Sequence, residues 1–136
     1  MFFKKSKKEA KNNFLDKVCA LLIHAAKIDE DFTEKEELII KKTLLELDSS
    51  AEDLPGIIER AKVIEEDSNQ IIEFTKEVKK LSELDKIKII EALWSIIYSD
   101  KNADIYEANL MRRLAGLLYI DSKTMGDIRN TTKKKI

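Results

Sequence analysis

Apolar residues recur at three- and four-residue intervals along most of the chain, a period that predicts helices and no strand. The first helix is expected from about Ala10 to Ile28, with Phe14, Val18, Leu21, Leu22 and Ala25 on one stripe. The second is expected after Thr33 and runs to about Leu47. Leu38, Ile39, Lys42, Leu45 and Glu46 lie along one of its ridges and Ile40, Leu44 and Leu47 along another, which predicts a broad apolar face. Asp48-Ser49-Ser50 is a polar break. A third helix starts near Asp53 or Leu54, with Pro55 in the first turn, where a missing N–H costs nothing. Ile57, Ile58, Ala61 and Ile64 give it an apolar side, and Glu65–Ser68 ends it.

The fourth helix is expected over Asn69–Leu81, with Ile71, Ile72, Phe74, Thr75 and Val78 inward. Ser82 and Asp85 have the spacing of a capping box and open the fifth, the most hydrophobic stretch. There Ile87, Ile90, Leu93, Trp94 and Ile97 keep a helical period, so Trp94 is expected in the core. The connector Asp100–Asp104 leads to a sixth helix whose buried side is Leu110, Met111, Leu114, Leu117 and Leu118. Asp121 or Ser122 can cap a last short helix to about Asn130.

An acidic loop between apolar helices occurs twice, as Asp29-Glu30-Asp31-Phe32-Thr33-Glu34-Lys35-Glu36 and as Asp100-Lys101-Asn102-Ala103-Asp104-Ile105-Tyr106-Glu107. Each copy begins with Asp and places Glu seven residues later. The duplication relates helices one and two to helices five and six. The expected fold is therefore all-α, six to seven helices, with two related αα-hairpins packed with pseudo-twofold symmetry. Two repeats are too few for a solenoid. At 136 residues the chain is expected to form one helical domain over residues 13–130, preceded by a basic, mobile segment, 1–12, and followed by a basic tail, 131–136.

Composition supports helices, since three Gly and one Pro leave too few turns for a sheet. The formal net charge of -1 gives no global argument for nucleic acid. Charge is nonetheless segregated into a basic start, an acidic stretch over residues 28–53 and a basic end. The basic termini read as solvated, with contact to an anionic membrane surface through the lysines, Phe2 and Phe3 as the alternative. The single cysteine, Cys19, fits a reducing compartment and reads as a buried, inert thiol. No signal peptide and no membrane span is discernible, so a cytoplasmic protein is expected.

The acidic loops admit two readings. Thr33 and Glu36 form a capping box, Asp104 and Glu107 can do the same, and carboxylates in a first turn suit the helix dipole. Alternatively the loops gather oxygens for a hard divalent cation, Ca2+ or Mg2+. The first offers Asp29, Asp31, Thr33 and Glu36; the second offers Asp100, Asn102, Asp104 and Glu107. Neither is an EF-hand, being shorter than twelve residues and lacking the glycine. The lone His24 and Arg112-Arg113 read as structural and solvated, respectively. No phosphate-binding loop, Ser/His/Asp set or zinc motif is present, so no enzyme is expected.

Residues 18–47 and 87–120 resemble the TerB family, the tellurite-resistance protein B group of helical bacterial proteins. The matching stretches run from Ala20 through Glu36 and from Leu93 through Glu107, with Ile72-Glu73-Phe74-Thr75 similar to the family's middle segment. The likeness is greater to an uncharacterised stand-alone branch than to the operon-encoded protein. It implies two related helical halves, a link to tellurite and other chemical-stress systems, and partners that are often membrane-associated. It also implies metal-ligand positions at Asp29, Glu36, Asp100 and Glu107. The chain departs from the family in having Glu30 and Lys101 where glycine usually follows each Asp, and the positive charge of Lys101 makes the second loop the weaker site. Two functions follow as expectations: a small cation-binding module, or a metal-free helical adaptor whose acidic face docks a protein partner.

Overall fold

A computed structural model describes residues 7–27, 33–48, 53–67, 72–99 and 105–135, with side chains from residue 14 in the first helix and from residue 109 in the sixth. Seven helices account for almost all of these residues, and no strand occurs among them. They are α1 (Lys7–Ala26), α2 (Glu34–Leu47), α3 (Leu54–Asp67), α4 (Ile72–Lys79), α5 (Glu83–Tyr98), α6 (Ile105–Leu117) and α7 (Ser122–Lys135). The all-α expectation holds. The boundaries move at the termini: α1 begins at Lys7, and α7 continues to Lys135, five residues past Asn130, with Thr132 buried.

The C-terminal half of α1 is the axis of the molecule. Val18, Cys19, Ala20, Leu21, Leu22 and Ile23 are all fully buried, which covers every side of the helix rather than the one stripe that periodicity suggested. A helix that is apolar all round must be enclosed, and α1 is: it packs against α2, α3, α4 and α5. Its closest partner is α3, not α2, and the closest partner of α5 is α7. Helices α1 and α5 pack against each other, and α2 packs on α5 as well as on α1. One pairing is anchored by charge. Arg60 of α3 grips Asp16 of α1 with two bonds, Nε to Oδ2 at 2.9 Å and Nη2 to Oδ1 at 3.2 Å. Asp16, in turn, holds the Arg60 guanidinium above its ordinary pKa by that hydrogen bond.

Local signals set the helix starts. Asp53, at φ 55°, precedes α3, and its Oδ1 accepts from the N–H of Gly56 at 3.2 Å. A methyl group at Gly56 would meet that carboxylate as it stands, so Asp53 would have to turn aside and give up this bond. Ser82 caps α5 by accepting from the Asp85 N–H.

Two expectations about faces fail. On α2, Ile40 and Leu44 are buried, but Leu38 is 66% and Leu45 42% exposed, so the apolar face is narrow and one leucine ridge faces outward. On α4, Phe74, Thr75 and Val78 are buried, whereas Ile72 is 38% exposed; Ile71 lies outside the described residues. Trp94 is buried, as its stripe implied.

Helix α6 ends in a Schellman turn. The Ile120 N–H donates to the Ala115 carbonyl at 2.9 Å and the Tyr119 N–H to the Gly116 carbonyl at 3.4 Å, with Tyr119 in the left-handed region at φ 57°. Lys86 of α5, itself buried, reaches this turn and donates from Nζ to the Leu118 carbonyl at 3.3 Å. The turn sends the chain directly into α7 and sets α6 and α7 as the two walls of a cleft.

Candidate functional site

Of the six candidate ligands, Glu36 alone has a described side chain. Asp29, Asp31, Asp100, Asp104 and the Glu107 side chain lie outside the described residues. Glu36 closes the capping box in full. Its Oε1 accepts from the Thr33 N–H at 2.8 Å and from the Thr33 hydroxyl at 2.9 Å, while its own N–H donates to Thr33 Oγ1 at 3.2 Å. The residue is only 4% exposed. Oε2 accepts no hydrogen bond from a described residue. A one-oxygen contact to a cation remains geometrically open, but the two-oxygen grip of a distal Glu in a calcium loop would break the cap. Among the described residues, no three His, Cys, Asp or Glu side chains stand together as a metal group.

His24 meets an acidic residue of α3. Its Nδ1 stands 3.3 Å from Glu65 Oε1, and the same carboxylate accepts from Lys27 Nζ at 2.7 Å through Oε2. The Lys27 ammonium is held above its ordinary pKa by the Glu65 hydrogen bond.

Cys19 is fully buried and keeps its proton. Burial first, and the Asp16 carboxylate second, push its thiol up from 9.0 to about 12. The folded protein keeps this proton where the unfolded chain loses it. The stabilisation is therefore complete below pH 9 and is lost as pH rises above it, by about 1.4 kcal/mol per unit. Urea melts at pH 9 and pH 10 check this: the wild type should lose stability over that interval, and Cys19→Ala should lose about 1 kcal/mol less.

The structure adds a second candidate that the sequence did not disclose, a cleft of about 660 Å3 between α6 and α7. Trp94 of α5 lines it, along with Met111 and Ala115 of α6 and Met125 and Arg129 of α7. Trp94 stacks on Tyr98, with ring centroids 5.8 Å apart and planes inclined by 21°. Arg129 lies over the indole, 5.5 Å from its centroid, and donates from Nε to the Tyr98 hydroxyl at 2.7 Å. The indole Nε1–H is buried and has no hydrogen-bond partner among the described residues. Arg112 stands at the rim, within 3.5 Å of Asn109 Oδ1. Asp121, also at the rim, caps α7 by accepting from the Thr124 N–H at 2.7 Å, a bond that holds its carboxyl below the ordinary range.

No helix among the described residues is long and apolar enough to cross a membrane. Comparison with known families finds that a model described as tellurite resistance protein TerB matches residues 15–130. Neither the curated proteins nor the solved structures give a significant match.

Proposed function

This chain belongs to the TerB family, and we propose that it works as a non-catalytic cytoplasmic adaptor in a tellurite or other chemical-stress system, docking a protein partner rather than holding a cation. The closed capping box carries this reading. The Glu36 carboxylate, the distal ligand of the first acidic loop, is buried and committed through Oε1 to the start of α2. Its structural role accounts for its identity and position without a metal. The outward ridge of α2 supports the adaptor reading. Leu38 and Leu45 lie two turns apart and exposed, with Glu34, Lys42 and Glu46 exposed around them. Apolar anchors rimmed by charges of both signs suit a partner with its own apolar seam.

Calcium titration followed by amide NMR tests the proposal. Up to millimolar Ca2+, amides over residues 28–36 and 100–107 should shift no more than in KCl of equal ionic strength, and the melting temperature should not rise. A saturable, loop-specific response with thermal stabilisation, lost in Glu36→Gln, would overturn the proposal. Asp29, Asp31, Glu36, Asp100, Asp104 and Glu107 would then be the ligand field for Ca2+ or Mg2+. Glu36→Gln is the informative change because it keeps an oxygen for the cap and removes the charge. In a second arm, Leu38→Glu/Leu45→Glu should change stability by about 1 kcal/mol or less, as surface changes do, while abolishing the protein cross-links that a photoreactive residue at position 42, exposed between the two leucines, forms in the otherwise unchanged chain. Undiminished cross-linking would rule out α2 as the docking face.

A further inference from the structure

The cleft between α6 and α7 has three features that helix packing does not explain. The first is the Trp94 N–H, fully buried in a residue that lines the cleft and bonded to no described residue. A buried donor without an acceptor is costly and uncommon in native structures. The second is Arg129. Its Nε is fixed by the Tyr98 hydroxyl and its plane rests over the indole, so the guanidinium is held in place. Its two Nη groups donate to no described residue, and no described carboxylate pairs with it. The third is a pair of glycines. Gly126 lies inside α7 and Gly116 in the last turn of α6, and both line the cleft. Neither has a positive φ, and a Cβ added to either would meet nothing within 4 Å. Glycine is the residue a helix interior tolerates least after proline, and at Gly126 neither backbone nor neighbours demand it. What the two absent side chains leave is room.

The lining has the make-up of a small-ligand site: mostly apolar, within the usual range of volumes, and with a few polar groups placed together. Arg112 and Arg129 against Asp121 leave it net positive, and the Asp121 carboxylate is already occupied with the cap of α7. A guanidinium fork matches the two oxygens of a carboxylate, and an indole N–H can only donate. We propose that this cleft binds a small amphipathic carboxylic acid, with its carboxylate on Arg129, its apolar body along Met111, Ala115 and Met125, and a shift of the cleft wall on binding that brings the Trp94 N–H to a carboxylate oxygen. The site is independent of the acidic loops and of the α2 ridge.

Trp94 is the only tryptophan, so its single indole N–H resonance reports on the cleft directly. The probe is 4-phenylbutyrate, and its alcohol, 4-phenylbutan-1-ol, is the neutral control. The acid should shift the indole N–H resonance saturably. The alcohol should bind at least about tenfold more weakly, the loss expected for one charge-assisted hydrogen bond. Arg129→Gln should weaken the acid by a similar factor and leave the alcohol unchanged. Gly126→Leu should abolish binding of both without lowering the melting temperature, since it fills open space and removes a helix glycine. If Arg129→Gln does not fold, Gly126→Leu and the acid–alcohol comparison decide the matter. An unmoved indole resonance, equal binding of acid and alcohol, or full binding by Gly126→Leu would each overturn the proposal.

Discussion

Phe74→Ala should cost about 4–5 kcal/mol, and Trp94→Ala, although it removes more atoms, only about 3 kcal/mol. Both residues are buried, at 1% and 6% exposure. Phe74 belongs to α4, an eight-residue helix packed on α1 and α6, and the hole left by its ring would be closed. A closed apolar cavity adds its own penalty to the lost transfer energy. Trp94 borders the α6–α7 cleft, so the hole left by its indole would open onto that space and water would fill it. The truncation also removes an unpaired buried N–H, a group that costs stability where it stands. Urea denaturation of the two variants checks the order. A loss below about 1 kcal/mol for Trp94→Ala would show that the indole packs as a surface residue, and a loss above that for Phe74→Ala would show that the cleft is sealed behind it. Against a typical domain stability of about 5–15 kcal/mol, either change is severe.

The second large effect is an asymmetry. Arg60→Ala should cost about 2–3 kcal/mol and Asp16→Ala about 1 kcal/mol, although both break the same two hydrogen bonds. The Asp16 side chain is 7% exposed, whereas that of Arg60 is 47% exposed. Remove the arginine and a carboxylate stays buried without its counter-charge. Remove the aspartate and the guanidinium turns to water. The double variant should therefore be more stable than Arg60→Ala alone, because it removes the stranded charge. Arg60→Lys should recover only part of the loss, since an ammonium cannot reproduce the two-pronged contact. Equal losses for the two single variants would show that water reaches Asp16 in the native state.

The helical fold and its starts were legible because they are decided within a turn or two of chain. Thr33 and Glu36 close a capping box across three residues, and Ser82 caps α5 over the same span. Such bonds depend on residue type and spacing, both written in the sequence. The burial of Trp94 was legible for a related reason: its stripe on α5 is apolar over four turns, and a stripe of that length has to be covered. Of the candidate cation site, the sequence indicated both the ligand set and the competing capping role. The structure settles the second for Glu36, and the other five ligand side chains lie outside the described residues.

Periodicity shows that a face is apolar but not which neighbour covers it. Both α2 ridges carry large apolar residues, yet Ile40 and Leu44 are buried and Leu38 and Leu45, which share their ridge with Lys42 and Glu46, are left outside. Nor could the sequence show that α1 is enclosed on every side, although the unbroken run Val18–Ile23 was the signal to look for. The α6–α7 cleft was beyond it altogether. Tyr98 and Arg129 are 31 residues apart, and two glycines in different helices signal nothing until one space is seen beside both. Sequence alone determined the helices, their caps and the doubling of the acidic loop, because each depends on interactions between near neighbours. Which apolar ridge stays exposed, where a charge is stranded and where a cleft opens were decided only by the tertiary structure, because each depends on which helix packs against which.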